Sequence, residues 1–252
     1  MCPLLVSNPA KARISKLEYF FSKKVGEAIA AYNMIEENDR ILVAISGGKD
    51  SMSLLKVLRY KQKRLPIRFD IVACYIDLGF DDNQRPILEN YFRDNGYEYS
   101  IEETRLWKRA QEQDGRINCF WCSFNRRKKL FETAAKLGCN KVALGHHKDD
   151  IAETFLLNVF FHGEISTMMP RQELFGGKLY IIRPLALCEE KFIIRYARES
   201  DFPTFSGKCP NSRASKRKLM KDMLTMLARL NPDVKTNIFR CMKRIKFDYL
   251  PH

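Results

Sequence analysis

Six consecutive residues, Ser46-Gly47-Gly48-Lys49-Asp50-Ser51, have the composition of an anion cradle. Two adjacent glycines let a backbone turn tightly and bring its amides against an anion with no side chain between them. Ser46 and Ser51 add hydroxyl donors, and a helix starting here would aim its positive end at the same point. The pattern is neither G-x-x-x-x-G-K-[ST], since Asp50 stands where Ser or Thr should follow the lysine, nor G-x-G-x-x-G. Cofactor-binding candidates are therefore Ser46, Gly47, Gly48, Lys49, Asp50 and Ser51, with Asp50 also a candidate for catalysis. The plain alternative is a Gly-Gly turn whose helix is capped by Asp50 or Ser51.

A second loop, Gly145-His146-His147-Lys148-Asp149-Asp150, again lies between an apolar run and a helical pattern. Asp149 and Asp150 suit the first turn of a helix through the dipole alone. Alternatively, one carboxylate holds Mg²⁺ on nucleotide phosphates or acts as acid/base at a target base, with Asp150 preferred. Gly145 and His146 join the binding candidates, and His162 and His252 are given no role.

Eight cysteines occur in the chain. Cys119-Phe120-Trp121-Cys122 sets two thiols about one turn apart, a spacing suited to a shared metal centre. A structural zinc site would want a second such pair or two histidines. Cys209, in Gly207-Lys208-Cys209-Pro210, sits in a comparably loop-like basic setting, and three cysteine ligands would leave one position of a reactive centre open. A redox dithiol with Cys209 as resolving thiol and a pair of buried neutral thiols stay open as alternatives. Arg126, Arg127, Lys128 and Lys129 follow in the first turns of a helix read from Ser123, where positive charge is unfavourable unless thiolates or phosphate offset it. Arg126 is taken as a candidate catalytic cation.

The elements that must carry these loops alternate. The apolar spacing predicts a helix over 14–35, a buried strand over 41–45, a helix over 52–63, a strand over 69–76 and a helix over 84–95 ended by Gly96. A weaker strand over 97–101, a charged stretch over 102–118, a helix over 123–137 ended by Gly138, a strand over 141–144 and a helix over 147–161 complete the run. Residues 173–182 read as a hairpin with Gly-Gly at its turn, and the pattern from 189 onward is helical. Such alternation argues for a parallel α/β sheet, with ligands at the carboxyl ends of its strands, where both loops emerge. The expected organisation is an N-terminal helical segment 1–39, a main domain 40–188 and a helical, basic extension 189–252 packed on it.

The 252 residues, 45% hydrophobic and 29% charged, are ordinary for a globular chain, and no apolar run is long enough to span a bilayer. A secretory signal is not evident, so a cytoplasmic location and no membrane partner are expected. Reduced thiols rather than disulfides follow from that compartment. The formal charge of +14 favours polyanionic partners. Lys208, Arg213, Lys216, Arg217, Lys218 and Lys221 cluster around Cys209 and suit an RNA backbone, while Phe120 and Trp121 could stack a base.

AISGGKDS resembles the pyrophosphatase loop of the N-type ATP pyrophosphatases, the PP-loop superfamily. CFWCSFNRRKKLFETAAKLGCNKVALGHHKDDIAETFLLNVFFHGE, IIRPLALCEEK and FPTFSGKCPNSRASKRKLMKDML resemble the tRNA 2-thiocytidine synthetase family within it, over about residues 20–245. The resemblance implies a PP-loop fold of the adenine nucleotide alpha hydrolase kind. It implies ATP held by its phosphates at the first loop, Mg²⁺ on those phosphates, and a [4Fe–4S] cluster on Cys119, Cys122 and Cys209. The implied reaction adenylates the C2 carbonyl of a tRNA cytidine and replaces its oxygen with sulfur from a cysteine desulfurase or sulfide, in a homodimer. Family members often carry a second C-x-x-C pair in the last motif; here Cys209 stands alone. Terminal zinc modules of the uridine thiolases are lacking, which favours the cytidine branch. Thiolation of uridine, lysine addition to cytidine and a non-catalytic RNA-binding iron–sulfur protein are the competing functions.

Overall fold

The computed structural model describes residues 15–79, 83–104, 119–205 and 216–249, with Cys119 and Phe120 in their backbone only. Helix α1 (Lys16–Ala31) is capped by Ser15, whose hydroxyl accepts from the Glu18 amide at 3.0 Å. Strands β1 (Asp39–Ile45), β2 (Phe69–Asp77) and β3 (Glu98–Glu103) alternate with α2 (Lys49–Gln62) and α3 (Gln84–Asp94). Then come α4 (Cys119–Lys136), β4 (Lys141–Ala143), α5 (Lys148–His162) and a hairpin of β5 (Arg171–Leu174) and β6 (Leu179–Ile182). Helices α6 (Glu190–Arg198), α7 (Lys216–Leu230) and α8 (Val234–Cys241) follow.

The six strands form one sheet in the order β3-β2-β1-β4-β6-β5, parallel throughout except for the antiparallel edge strand β5. Residue alternation sorts the core onto its two faces. Ile41, Val43, Ile71, Ala73 and Tyr75 join Phe21 and Val25 of α1, Leu54 and Leu58 of α2, Leu88 of α3 and Ile193 of α6 in one cluster. Leu42, Val72, Cys74, Ile76 and Val142 pack on the other side against Leu130 and Ala134 of α4. Each fully buried Leu or Ile contributes about 1.5–3 kcal/mol, so this double coverage is what makes residues 41–45 of β1 and 71–76 of β2 run apolar without interruption. Helix α1 is part of that core: Phe21 stacks on Tyr196 of α6 with ring centroids 4.4 Å apart.

The chain moves outward from β1 to β2 and β3, then crosses to the other side of β1 for β4. Carboxyl ends of β1 and β4 therefore flank the point where strand order reverses, the place where open α/β sheets hold ligands. No helix of the described residues is long and apolar enough to cross a membrane.

Two helix starts differ from the sequence reading. Helix α2 opens at Lys49 rather than 52, with Gly48 as its N-cap, so Asp50 stands in the first turn. Helix α4 opens at Cys119 rather than Ser123, which places the cysteine pair inside the first turn and Arg126 to Lys129 in the second and third. The conflict expected between those cations and the helix dipole is correspondingly weaker, because the dipole acts within the first turn.

Candidate active site

The first loop is tied by serine. Ser51 Oγ accepts from the Ser46 amide at 3.1 Å, donates to the Gly48 carbonyl at 2.9 Å and lies 3.2 Å from Ser46 Oγ. Gly47 has φ +76°, and a Cβ there would sit 2.9 Å from the Phe205 ring, whose own amide donates to the Gly47 carbonyl at 2.8 Å. Both demands exclude other residues at 47. The turn and the start of α2 thus present backbone amides and a positive helix end in one place.

Gly145 explains how the second loop comes so near. A Cβ on it would lie 3.1 Å from the Ser51 amide nitrogen and 3.2 Å from the Asp50 carbonyl carbon, so the two loops meet backbone to backbone. His147 then caps α5: its Nδ1 accepts from the Asp150 amide at 3.4 Å, while Asp150 Oδ2 accepts from the His147 amide at 3.0 Å. The same imidazole places Nε2 4.0 Å from Asp50 Oδ1, joining the loops through side chains.

The paired aspartates have separate tasks. Asp149 is buried, accepts the Glu190 amide at 2.9 Å and forms an ion pair with Lys235 of α8, so it ties α5 to α6 and α8. Asp150 is partly open and lies 3.9 Å from the Arg217 guanidinium of α7. Asp150 therefore caps its own helix and keeps one carboxylate oxygen toward Arg217.

Glu190, Glu153 and Arg183, which sequence reasoning did not single out, converge here with Lys49, Lys221 and His146. Lys49 reaches Glu190 at 3.1 Å and Asp50 at 3.2 Å, and Glu190 accepts two hydrogen bonds from Lys221 at 3.0 and 2.8 Å. Burial works to raise the Glu190 pKa, but Lys221 and Lys49 hold it down at about 2. Glu153, one turn beyond Asp150, is buried with Arg217 3.6 Å away; burial, then the Asp150 charge, pushes its pKa up to about 7. His146 accepts from Arg183 Nε at 3.3 Å, and burial, against the attraction of Asp150, lowers its pKa well below the usual imidazole range. It is a neutral acceptor there. Arg183 is itself buried, and its pKa falls to about 10 through desolvation and the charge of Arg127. RPL immediately after β6 was the available signal for Arg183, and EEK for Glu190.

Of the expected metal ligands, Cys119 opens α4 and Cys122 lies in its first turn, half-buried. Cys209 lies outside the described residues, as do Lys208 and Arg213 of the basic cluster. Among the described residues no group of three His, Cys, Asp or Glu is arranged to hold a metal ion. Arg126 is exposed; of the α4 cations it is Arg127 whose charge acts on His146 and Arg183. In the basic cluster Arg217 and Lys221 turn to site carboxylates, Lys218 pairs with Asp222 at 3.0 Å, and Lys216 lies 4.6 Å from the Phe161 ring centroid.

A parallel sheet with a Ser-Gly-Gly-Lys-Asp-Ser turn at its switch point defines a PP-loop domain, and the family model of that description matches residues 17–225. A tRNA-cytidine(32) 2-sulfurtransferase of Geobacter sulfurreducens is 40% identical over 230 residues, covering 90% of each chain. Another of that name from Tolumonas auensis is 40% identical over 239 residues, 94% of this chain and 79% of its own. The chain belongs to the PP-loop family, on the branch of the tRNA-cytidine(32) 2-sulfurtransferases. In fold it is similar to a U34-tRNA thiolase from Methanococcus maripaludis solved with its [4Fe–4S] cluster, at TM-score 0.75 and 21% identity, over 93% of this chain and 82% of that one.

Proposed function

We propose that this chain replaces the C2 oxygen of a tRNA cytidine, at position 32, with sulfur at the expense of ATP. The observation that carries the reading is the meeting of two loops, 46–51 and 145–150, at the switch point; the helix that begins with Cys119 brings the Arg127 charge to bear on His146 of the second loop. Family membership at 40% identity over nearly the whole chain supports the same substrate.

The first loop fits a triphosphate. Amides of the Gly47–Gly48 turn and the α2 N-terminus would hold the β- and γ-phosphates, with Lys49 and Lys221 supplying positive charge. Asp50 Oδ1, buried and 3.1 Å from the Lys49 ammonium but outside hydrogen-bond alignment, is a hard oxygen donor suited to Mg²⁺. Bound there, Mg²⁺ would neutralise charge on the departing pyrophosphate. The C2 carbonyl oxygen of cytidine attacks the α-phosphorus, pyrophosphate leaves, and the oxygen later departs as part of AMP when sulfur attacks C2.

Cys119 and Cys122 fit as two thiolate ligands of a [4Fe–4S] cluster: they are one helical turn apart at a helix N-terminus, which stabilises thiolate. With Cys209 as third ligand, such a cluster would supply an iron with an open position for sulfide. His146, held neutral with Nδ1 accepting from Arg183, keeps its proton on Nε2 and would donate a hydrogen bond to substrate without adding charge, and Asp150 would take or return a proton at the base. Arg217, shared between Asp150 and Glu153, would meet charge on the leaving AMP, and Arg126 or Arg127 of α4 would meet the RNA backbone. The sulfur comes from a cysteine desulfurase or sulfide. Exposed Phe160, Leu219, Met226 and Leu230 on α5 and α7 support a homodimer, whose formation would cover that apolar surface. Helix α1, before the 40–188 domain, and helices α6 to α8, after it, serve as its supports in this reading.

Nucleoside mass spectrometry of tRNA from cells with and without the protein tests it. A 2-thiocytidine should appear only with the protein, and Cys119→Ser, Cys122→Ser and Cys209→Ser should each lose both that product and anaerobically bound iron. Change confined to a uridine nucleoside would overturn the substrate, and full iron in each variant would overturn the ligand set.

A further inference from the structure

Helix α4 carries an open groove of about 580 Å³ lined by Phe124, Arg127, Lys128, Phe131 and Glu132, and by Phe175 from the β5–β6 turn. Positions 124, 127, 128 and 131 recur every three or four residues, so they share one face beginning two residues past Cys122. Phe124 is 58% exposed and Phe175 64% exposed. Phe175 has φ +53°, a left-handed conformation in which a bulky side chain is strained and glycine is not. Its ring meets Phe131 edge to face at 6.1 Å, yet most of it faces water. Two glycines follow at φ +62° and +83°, so a third would serve the turn better than an aromatic. Strain at an exposed ring with little burial in return points to a contact from outside the chain.

The surroundings decide its chemistry. Arg127 is exposed on the groove wall, and its charge lowers the pKa of both His146 and Arg183, which puts this end of the groove beside the second loop. Lys128 is 63% exposed in its side chain, with Glu132 4.0 Å away. Exposed rings flanked by cations match unpaired nucleotides: every base offers an apolar face, and every phosphate a charge. We propose that the Phe124–Phe131–Phe175 groove is the docking site for single-stranded RNA nucleotides adjoining the target base. This deepens the tRNA reading and rests on it.

Anisotropy of labelled, unmodified tRNA at fixed salt tests the groove with Phe124→Ala and Phe175→Gly. Each should weaken tRNA binding about tenfold, within the range of one lost base–aromatic stack. Affinity for ATP should not move, binding of a duplex RNA of equal charge should be unaffected, and the Phe175→Gly unfolding midpoint should stay level or rise. Wild-type tRNA affinity in both variants would overturn the proposal. So would loss of self-association in Phe124→Ala with RNA binding intact, which would give the groove to a second copy. A lowered unfolding midpoint in Phe124→Ala with RNA binding intact would give it to another part of this chain. If the wild type forms 2-thiocytidine while both variants bind tRNA normally, the groove inference fails alone. If the wild type forms none, the function itself fails whatever the groove binds.

Discussion

Replacing Glu153 by Gln should make the protein more stable at pH 8 than at pH 5, relative to the wild type. Burial, followed by the neighbouring Asp150 charge, lifts the Glu153 pKa from an ordinary 4.5 to about 7 even with Arg217 3.6 Å away. A carboxyl that holds its proton more tightly folded than unfolded contributes stability that is intact below pH 4.5. That contribution declines as pH rises from 4.5 to 7, then stays constant. At about 1.4 kcal/mol per pH unit the full loss is about 3 kcal/mol, an upper bound because water reaches Arg217. Glutamine keeps the shape of the protonated acid and cannot ionise. Glu153→Gln should therefore match the wild type near pH 4.5 and exceed it by up to about 3 kcal/mol at pH 8. His146 works in the opposite sense: its lowered pKa gives stability that is present above the ordinary imidazole range and lost as pH falls. Since His146 is common to both proteins, it drops out of their difference. Urea denaturation followed by far-ultraviolet circular dichroism at pH 5, 6, 7 and 8 gives that difference directly. A constant offset across the four pH values would refute the reasoning, because it would mean Glu153 ionises alike in folded and unfolded chains. The functional corollary is that a protonated Glu153 leaves Arg217 to Asp150 and an incoming phosphate.

Three further substitutions probe the anion loop and the lysines beside it. Gly47→Ala should cost about 1–2 kcal/mol of stability and weaken ATP binding by more than tenfold, because φ is +76° and the new methyl meets Phe205 at 2.9 Å. Gly48→Ala, with φ −80° and nothing nearer than Ser46 Oγ at 3.5 Å, should be mild in both calorimetry and thermal melts; equal damage from the two would refute the account. Glu190→Gln should tighten ATP binding severalfold and steepen its dependence on salt, since it releases Lys49 and Lys221 from an anion they already share. Titration calorimetry at two salt concentrations checks this, and weaker binding would show that Glu190 positions the lysines rather than competing with the phosphate.

The strands and both loops were legible because β1 and β2 are covered on two faces. Double coverage leaves an unbroken apolar run, and the loop after such a run must emerge at the ligand-binding edge. The hairpin was legible for a different reason: Gly176 and Gly177 occupy left-handed positions that few other residues tolerate. Helix starts were less so. Ser123 has the chemistry of an N-cap and drew the expected start of α4 there, yet the helix opens four residues earlier at Cys119. Side chains that act together from distant parts of the chain were not legible at all. Glu190 lies 141 residues from Lys49 and Lys235 lies 86 from Asp149, and only the packing of α6, α7 and α8 onto α5 and α2 brings them together.

That packing explains why the two aspartates cannot exchange roles. Asp149 is committed to Lys235 and the Glu190 amide, so its loss would loosen α6 and α8 before it touched any ligand. Asp150 is oriented by the capping of its own helix, which fixes one oxygen on the His147 amide and leaves the other toward Arg217. A helix cap is a rigid mount, and a carboxylate so mounted loses little entropy when it meets a substrate. The same geometry carries His147 to Asp50, so a shift of one loop must move the other. The two loops are thus mechanically one unit, set by where β1 and β4 end.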